Sequence, residues 1–500
     1  MLTITDIRTP QSPADGDSLH HSEAALFNQQ VADTAETAMF DALDGRTDTE
    51  CILLKAAAGA GKSHVLKQLV RSAVHHPGTR RVGITAFTNN QILPLAQDLG
   101  DSLGRHQVCL LVSSKRIDSV PEAIHQSCTV VASAKDVPHD AKVIVATSHM
   151  YKWVGRHLKN ALLADPEEES LFDVLFVDEA WQMAHYLYDG VKRLAPLSIG
   201  VGDVGQLPPL DGTANPWRGD EQYNPYRAWP TDYEHLDTTV TLSLPSVWRP
   251  TAAQLPLWKA FYPEWKTLTC VAGPGDRSLE VRDVAPDART VWEQVGTGEP
   301  TLLEISGLPD AEAADIDLPM IQVLERLLEE LLTDEGFTLR TTKYDGQGQP
   351  TKLNLISLAS PGDDPLVAVL ATRNQAVDDA KDMVARLVKK LDLPENLIVA
   401  STVDSWQGQT NALTVAIHPL SGASRLDAFN SAFGRLAVTC TRATHGLLMV
   451  ARDGVDDLLQ NSPAVPGTPF GEPGVRSLPR QTHTRILDTF TRIKTEADGQ

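Results

Sequence analysis

The chain contains 500 residues, with 44 Lys and Arg against 65 Asp and Glu, so its formal charge is −21. This balance excludes a free basic protein that coats nucleic acid, because Lys and Arg supply most of the affinity for phosphates. The hydrophobic content of 42% excludes a mostly disordered chain, and at roughly 100 to 200 residues per domain the length predicts about two to four domains.

The sequence carries no sign of a membrane or secretory protein. No apolar run approaches the roughly 18 residues that a membrane span needs, and the N-terminus lacks the basic and then apolar stretch of a secretory signal. We therefore expect a cytoplasmic protein that contacts no membrane. The cysteines lack the short spacing of a zinc site, and we expect buried, reduced thiols at Cys51, Cys109, Cys128, Cys270 and Cys440.

In chain order, residues 1–21 lack periodicity and are predicted to form a disordered leader. Apolar residues at helical spacing then predict a helix over 22–43. From residue 50 to about 205, short apolar runs alternate with helix-like stretches, which favours a parallel sheet with helices on both faces. Together with a connector at 211–240 that is rich in Pro, Gly and aromatic residues, this part predicts a first domain over 22–240.

The same alternation returns in the second half of the chain and predicts a second domain over residues 241–460. Within it, the less regular segment from about 265 to 364 predicts a small accessory insertion. Residues 461–500 are predicted to be a linker followed by a C-terminal helix. The chain as a whole is therefore predicted to be an α/β protein.

The string AAAGAGKS, from Ala56 to Ser63, follows the apolar run CILL and precedes a helix-like segment. Glycines at this point let backbone N–H groups and the helix N-terminus face a phosphate, while Lys62 reaches the β- and γ-phosphates and Ser63 offers a hydroxyl to Mg²⁺. The pattern departs from its strict form, in which Ala56 would be Gly. An ordinary strand-to-helix turn is the competing interpretation. We predict ATP and Mg²⁺ as cofactors, with the phosphates held by Gly59, Ala60, Gly61, Lys62 and Ser63.

An acidic pair follows another apolar run in LFVDEAWQ. Asp178 is predicted to hold the Mg²⁺ shell, and Glu179 is predicted to orient and deprotonate the attacking water. Alone, such a pair also suits the start of a helix. Its combination with the phosphate loop favours a nucleotide site.

Further groups of this chemistry lie later in the chain. Gln206 in VGDVGQLPPL is predicted to sense the γ-phosphate. An arginine supplied across a cleft neutralises transition-state charge only when two lobes close, which links hydrolysis to domain motion. The arginines expected in or near the second lobe are Arg249, Arg435 and Arg442.

In this order the motifs resemble those of superfamily 1 helicases over most of residues 26–452. AAAGAGKS is similar to the first motif, followed by ITAFTNNQ, VIVATSHM, DEAWQ, GDVGQLPP, TVDSWQGQT and GRLAVTCTRATHGLLMV. The ordered set is specific, although no single member is. The resemblance implies two RecA-like P-loop NTPase domains with parallel sheets.

Three features resemble the branch of the RNA-surveillance helicases. These are the wording TVDSWQG, the strand-then-glutamine run VAVLATRNQ, and an arginine followed at a distance by Phe261 and Tyr262. Only 26 residues separate Gln375 from Thr402, which leaves no room for the large insertion of related DNA-repair helicases. The resemblance implies 5′ to 3′ translocation along DNA or RNA. Thr410 stands where many relatives have Glu, so the preferred NTP stays open.

Residue roles follow from the resemblance. It implies catalytic roles for Lys62, Glu179, Gln206, Arg249 and Arg442. Gln29 or Gln30 is the candidate to read adenine, and Gly408 is expected to let the fifth motif approach the nucleotide. The candidates for the nucleic-acid path are Thr88, Asn89, Thr147, Ser148, Ser405 and Trp406. For these six, turn formation and helix capping are the competing interpretation.

The sequence therefore predicts an ATP-dependent translocase or helicase that acts on single-stranded DNA or RNA. We expect a monomeric motor with weak, salt-sensitive strand binding, or delivery of the strand by a protein partner. A nucleotide-gated scaffold ATPase is the alternative. A small-molecule phosphotransferase would leave Gln407, Gly408 and Arg442 without a role.

Overall fold

The computed structural model describes a defined part of the chain. It covers residues 2–497 except 11–18, 168, 206, 208, 210–223, 266, 314, 334–335, 359, 362–364, 395, 428 and 463–478. The predicted γ-phosphate sensor Gln206 lies outside the described residues.

The first half of the chain alternates strands and helices as predicted. In chain order it forms β1 (Leu2–Arg8), α1 (His21–Leu43), β2 (Cys51–Ala56), α2 (Lys62–His75), β3 (Val82–Ala86), α3 (Asn89–Leu103), β4 (Val108–Leu111), α4 (Glu122–Ser127), β5 (Thr129–Val131), β6 (Val143–Thr147), α5 (Ser148–Leu162), β7 (Val174–Asp178), α6 (His185–Tyr188), β8 (Leu197–Asp203) and β9 (Thr239–Leu244).

The second half continues with further strands and helices. They are β10 (Ser246–Val247), α7 (Leu255–Phe261), β11 (Thr269–Cys270), β12 (Arg277–Val281), α8 (Pro286–Gly296), β13 (Thr301–Ser306), α9 (Leu318–Leu331), β14 (Phe337–Tyr344), β15 (Pro350–Ile356), β16 (Val367–Ala371), α10 (Asn374–Leu391), β17 (Ile398–Thr402), β18 (Asn411–Ile417), α11 (Phe433–Cys440), β19 (Ala443–Arg452), α12 (Val455–Asn461), α13 (Pro479–Leu487) and β20 (Thr491–Ala497).

The first sheet has eight strands in the order β5-β4-β6-β3-β7-β8-β2-β9, and all of its neighbouring strands are parallel. Its central strands are continuous apolar runs because helices cover both faces of such a sheet. Strands β7, β8 and β2 are neighbours, so their carboxyl ends meet at one edge. Ala56 pairs with Asp203 in β8, and Asp178 pairs with Val201. This edge carries the phosphate loop.

The second sheet has seven strands in the order β1-β20-β13-β19-β18-β16-β17. Its neighbouring strands are parallel except β1, which is antiparallel to β20. The two sheets confirm the predicted α/β class.

The accessory insertion predicted at 265–364 is smaller than expected. Strand β13 lies inside the second sheet between β20 and β19, and Trp292 of α8 and Leu324 of α9 belong to the core beneath that sheet. Only β12, β14 and β15 form a separate antiparallel sheet. The predicted bounds of the insertion were wrong because β13 pairs with strands more than 100 residues away along the chain. The local spacing of apolar residues does not reveal such a pairing.

The predicted disordered leader is corrected in part. The predicted C-terminal helix is α13, which β20 follows, and the predicted linker lies largely at 463–478, outside the described residues. Residues 2–8 form β1, which pairs with β20 from Leu2 opposite Ala497 to Arg8 opposite Arg492. Both strands are short and largely polar, so neither shows the apolar run of a central strand. Leu2 is buried in the second core together with Ile493, which explains how an edge strand of this composition is held.

A continuous apolar cluster joins the two lobes. It runs from helix α2 of the first lobe through α7 to α11 and α13. The rings of Phe261 and Phe433 meet edge to face with centroids 5.4 Å apart, and Arg485 Nε donates to the Ala260 carbonyl at 3.0 Å. Helix α7 therefore contributes apolar contacts between the two lobes.

The structure bears on the predicted thiols and on the search for membrane-spanning helices. All five cysteines are buried and free of disulfides, and burial raises the pKa of the Cys51 thiol to about 12. Within the part of the chain that the structure covers, no helix combines the length and apolar character needed to cross a bilayer.

Candidate nucleotide-binding site

The phosphate loop connects β2 to α2 through residues 57–61. Gly59 and Gly61 adopt φ values of 75° and 84°, a left-handed conformation that other residues rarely take. A Cβ on Gly59 would overlap the Cβ of Arg249, so glycine is required there for space as well. The 14-residue helix α2 starts at Lys62. Its N-terminal N–H groups thus face the loop, as phosphate binding requires.

Side chains from distant elements hold this loop in shape. Trp258 Nε1 donates to the Ala58 carbonyl at 2.8 Å, and the Tyr262 hydroxyl accepts from the Ala58 N–H at 3.0 Å. The same hydroxyl donates to Asp203 at 2.8 Å. These hydrogen bonds hold the loop in its conformation.

Helix α1 reaches the loop through Asn28, a residue that the sequence analysis did not single out. Asn28 is 5% exposed, and its amide donates to the carbonyls of Ala60 and Ser246, each at 2.8 Å. Gln29 and Gln30 are exposed, and Gln29 donates to Asp33 within α1. Their role in reading adenine stays a prediction. Asn28 shares the buried face of α1 with alanines at helical spacing, and this periodicity was the available signal.

Three carboxylates lie at the ends of adjacent strands β7 and β8. Asp178 and Glu179 close β7, and Asp203 closes β8, where it also accepts from the Gly205 N–H at 2.9 Å. Among the described residues, Asp178 Oδ1 is buried and has no hydrogen-bond partner. Burial and the neighbouring Glu179 raise the pKa of Asp178 to about 7, despite the opposing effect of Lys62.

The unpartnered oxygen of Asp178 fits a role as Mg²⁺ ligand. Mg²⁺ bound with a nucleotide takes one or two carboxylates, several waters and phosphate oxygens. Ser63 stands exposed in the first turn of α2, immediately after Lys62. Asp178 and Ser63 are therefore the protein groups that fit the ion.

Lys62 and Glu179 form an ion pair through Nζ and Oε1. Burial lowers the pKa of Lys62, but the negative charges of Glu179, Asp203 and Asp178 outweigh this effect and raise it. The second oxygen of Glu179 accepts from Gln182 Nε2 at 3.0 Å. Glu179 itself has a φ of 51°. Both oxygens of the predicted base are thus engaged, and its backbone is held in a left-handed conformation that costs about 1 kcal/mol or more.

The predicted arginines both reach this site. Arg442 is 1% exposed, and its Nε donates to the Val438 carbonyl at 3.1 Å. Burial lowers the pKa of Arg442, whereas Asp203 and Glu179 act to raise it, which places all three in one electrostatic environment. Arg249 Nη1 donates to the Thr441 carbonyl of the second lobe at 3.0 Å.

Arg249 was expected to come from the second lobe, but its backbone packs against the first. It lies against the phosphate loop, since the preceding Trp248 N–H donates to the Gly59 carbonyl at 2.7 Å. It therefore approaches from a segment packed on the first lobe, and its guanidinium extends towards the second. Burial and the positive charge of Arg442 lower the pKa of Arg249. Two adjacent cations beside a phosphate loop favour the binding of an anion.

Four of the residues predicted to line the nucleic-acid path belong to the first lobe, and three of them lie at the ends of adjacent strands. Thr88 and Thr147 lie at the ends of adjacent strands β3 and β6, because Thr147 pairs with Ala86. Both act as helix caps: Thr88 joins a capping box with Gln91, and Thr147 Oγ1 accepts from the Met150 N–H at 3.3 Å. Asn89 follows Thr88 and is half-buried.

Ser148 corrects one part of this prediction. Its side chain is completely buried, and its hydroxyl has no hydrogen-bond partner among the described residues. A group so covered does not present a surface to a strand. The prediction failed because a serine after a strand is equally common at the first turn of a helix, where it packs inward.

In the second lobe, Ser405 is exposed in a turn with Thr402, whose Oγ1 donates to Ser405 Oγ at 2.8 Å. Trp406 is half-buried, and its Nε1 donates to Asn411 at 3.0 Å. Gly408 has a φ of 86°, and a Cβ built on it would meet no atom within 4 Å. Glycine is thus required at 408 for its backbone conformation, and its approach to the nucleotide stays a prediction.

No protein-family model and no curated protein matches the chain. Among solved structures, the chain is similar to PRRSV helicase at 15% identity and a TM-score of 0.37, over 85% of this chain and 58% of that one. It is also similar to the arterivirus nonstructural protein 10 helicase in complex with DNA, at 14% identity and a TM-score of 0.36, over 82% of this chain and 63% of that one.

A third similar structure is the DUF1998 helicase MrfA bound to DNA and AMPPNP. It has 11% identity and a TM-score of 0.38, over 91% of this chain and 53% of that one. This chain thus spans about half to three-fifths of the length of the helicases it matches. All three are described as helicases, and the functional conclusion rests on the chemistry of the site.

Proposed function

We propose that this protein is an ATP-hydrolysing motor that moves along single-stranded DNA or RNA, as superfamily 1 helicases do. The observation that carries the proposal is the convergence of groups from both lobes on one cleft. Lys62 and Glu179 follow strands of the first sheet and pair with each other. Arg249 lies against Gly59 of the phosphate loop and donates to the carbonyl of Thr441 in the second lobe, next to Arg442, whose pKa Glu179 and Asp203 act to raise. Such a site is complete only when the lobes are together, so hydrolysis is coupled to their movement.

The residues divide the chemistry between them. The loop N–H groups and Lys62 bind the phosphates, and Glu179 orients the attacking water and takes its proton. Arg442 and Arg249 neutralise charge that develops on the transferred phosphoryl group. Bound Mg²⁺, held by Asp178 and Ser63, would neutralise charge on the β- and γ-phosphates.

The strand path is proposed along the carboxyl edges of the two sheets. Thr88, Asn89 and Thr147 lie at this edge of the first sheet, and Ser405 follows β17 of the second. The resemblance of TVDSWQG supports the 5′ to 3′ branch. A monomeric motor that acts with a partner delivering the strand fits the acidic charge of −21.

The test is an ATPase assay on the full chain with single-stranded DNA, single-stranded RNA and duplex DNA, each at a low and a high salt concentration. We expect a single strand to stimulate turnover, and we expect raised salt to weaken the stimulation because strand binding releases counterions. Glu179→Gln serves as the inactive control. Turnover that is equal with and without strands would contradict a translocase and favour the nucleotide-gated scaffold.

A further inference from the structure

Three hydrogen bonds connect the start of helix α3 to the predicted general base. The Thr88 N–H donates to Gln91 Oε1 at 2.9 Å. Gln91 Nε2 donates to Gln182 Oε1 at 3.1 Å, and Gln182 Nε2 donates to Glu179 Oε2 at 3.0 Å. The chain of contacts thus runs from a residue predicted to touch nucleic acid to the residue predicted to activate water.

The donor and acceptor directions of these three hydrogen bonds are fixed at both ends of the series. A backbone N–H only donates, so Gln91 must present its oxygen to Thr88 and its NH₂ to Gln182. A carboxylate only accepts, so Gln182 must present its NH₂ to Glu179. Reversing either amide would place two acceptors or two donors against each other. The two glutamines therefore act as one unit with a single orientation.

We propose that Gln91 is a positioning residue that couples the first turn of α3 to the orientation of Glu179. The inference rests on the proposed ATPase function and extends it. Glu179 Oε1 is paired with Lys62, and bound phosphates compete for that lysine. Glu179 then depends on Gln182 to hold its carboxylate, and Gln182 in turn depends on Gln91. A strand that contacts Thr88 and Asn89 shifts the N–H to which Gln91 is bound.

A purely structural role offers the competing explanation, because Gln91 also completes the capping box of α3. One substitution separates the two roles. Gln91→Glu keeps an oxygen that accepts from the Thr88 N–H, and Glu is as suitable as Gln at this capping position. The carboxylate has no hydrogen to give to Gln182, so the contact towards Glu179 is lost. Gln91→Ala removes both interactions.

The experiment measures kcat and KM for ATP in the full chain, with saturating single-stranded DNA or RNA, whichever stimulates the wild type. For Gln91→Glu we expect an unchanged melting temperature, an unchanged KM and a kcat lowered about tenfold, the upper end of the scale for one lost hydrogen bond between neutral groups. Gln97→Glu and Gln97→Ala, in the same helix, are the matched controls and should leave both constants unchanged.

A pH profile of kcat adds a measurement that a purely capping role of Gln91 would leave unchanged. When the substituted carboxyl group is protonated, it donates to Gln182 and restores the original direction of the hydrogen bonds. The ratio of kcat for Gln91→Glu to that of the wild type should therefore rise as the pH falls from 8 towards about 5.5. Gln91→Ala has no proton to gain, and its ratio should stay flat.

The outcomes are distinguishable. Wild-type kcat in Gln91→Glu, with loss confined to Gln91→Ala in step with a lower melting temperature, overturns the inference and leaves the proposed function intact. A wild type without strand-stimulated turnover overturns both. A lowered kcat in Gln91→Glu with a pH-independent ratio also overturns the positioning role.

Discussion

At the scale of single residues, the pairing of Lys62 with Glu179 explains how the site is kept ordered without nucleotide. Glu179 is buried and Lys62 is half-buried, and each supplies the charge that the other needs. A lone buried charge would be costly, whereas a paired one is tolerated. Under the proposed function, the phosphates of a nucleotide replace Glu179 as the partner of Lys62, and binding then frees the carboxylate to meet water.

Glu179→Gln is therefore expected to retain ATP binding and to lose turnover. The amide keeps the size and the contact with Lys62 through its oxygen, but it cannot accept a proton, and general-base catalysis contributes about 10² to 10⁴ in rate. Binding is measured by calorimetry with ATP, and turnover by phosphate release. Undiminished hydrolysis in this variant would remove Glu179 from the mechanism.

The raised pKa of Asp178 predicts that Mg²⁺ binding depends on pH. Its folded pKa is raised from 3.8 to about 7. Between these values the folded chain holds a proton that the unfolded chain has lost, so the contribution of Asp178 to stability falls as the pH rises through this window. Mg²⁺ requires the carboxylate, so its binding expels that proton, and Mg²⁺ affinity should rise with pH up to about 7.

The proton release is measured by calorimetry of Mg²⁺–ADP binding at pH 6.5 in two buffers that differ in ionisation enthalpy. Asp178→Asn is the control and should abolish the difference between the buffers. The same proton release in Asp178→Asn would assign it to another group.

At the scale of elements, helix α1 stabilises the phosphate loop through Asn28. Asn28→Ala leaves the carbonyls of Ala60 and Ser246 buried without their donor, which is expected to lower the free energy of unfolding by about 1 to 3 kcal/mol. Gln29→Ala, on the exposed face of the same helix, should change it by less than about 0.5 kcal/mol. Chemical denaturation measures both, and equal effects would contradict the assignment.

The sequence was informative where chemistry is local. Lys62, Asp178 and Glu179 were predicted because each follows an apolar strand within a few residues, and the strands β2 and β7 formed as expected. The contacts of Tyr262 and Gln91 were not predicted, for one physical reason.

Their contacts join residues that are far apart in sequence. Tyr262 reaches Ala58 across 204 residues and Gln91 reaches Gln182 across 91. Strand β13 was missed in the same way, since both of its partners come from the C-terminal part of the chain. Local periodicity contains no information about such pairings.

At the scale of the whole molecule, the site depends on both lobes. Arg442→Ala is expected to spare ATP binding and to lower kcat by roughly 10³ or more, as removal of an arginine finger does. Circular dichroism confirms the fold of the variant, and Arg386→Ala, an exposed arginine paired with Glu325, is the control. A kcat close to that of the wild type would mean that the second lobe takes no part in the chemistry.

The apolar cluster through α7 restricts how the halves of the molecule can move. Pulling them apart as separate bodies would bring Phe261 and Phe433 into water, at about 25 cal/mol for each Å² of apolar surface. A pivot beside α7 keeps these rings covered. We therefore expect any relative movement of the two lobes to turn about α7 rather than to separate them there.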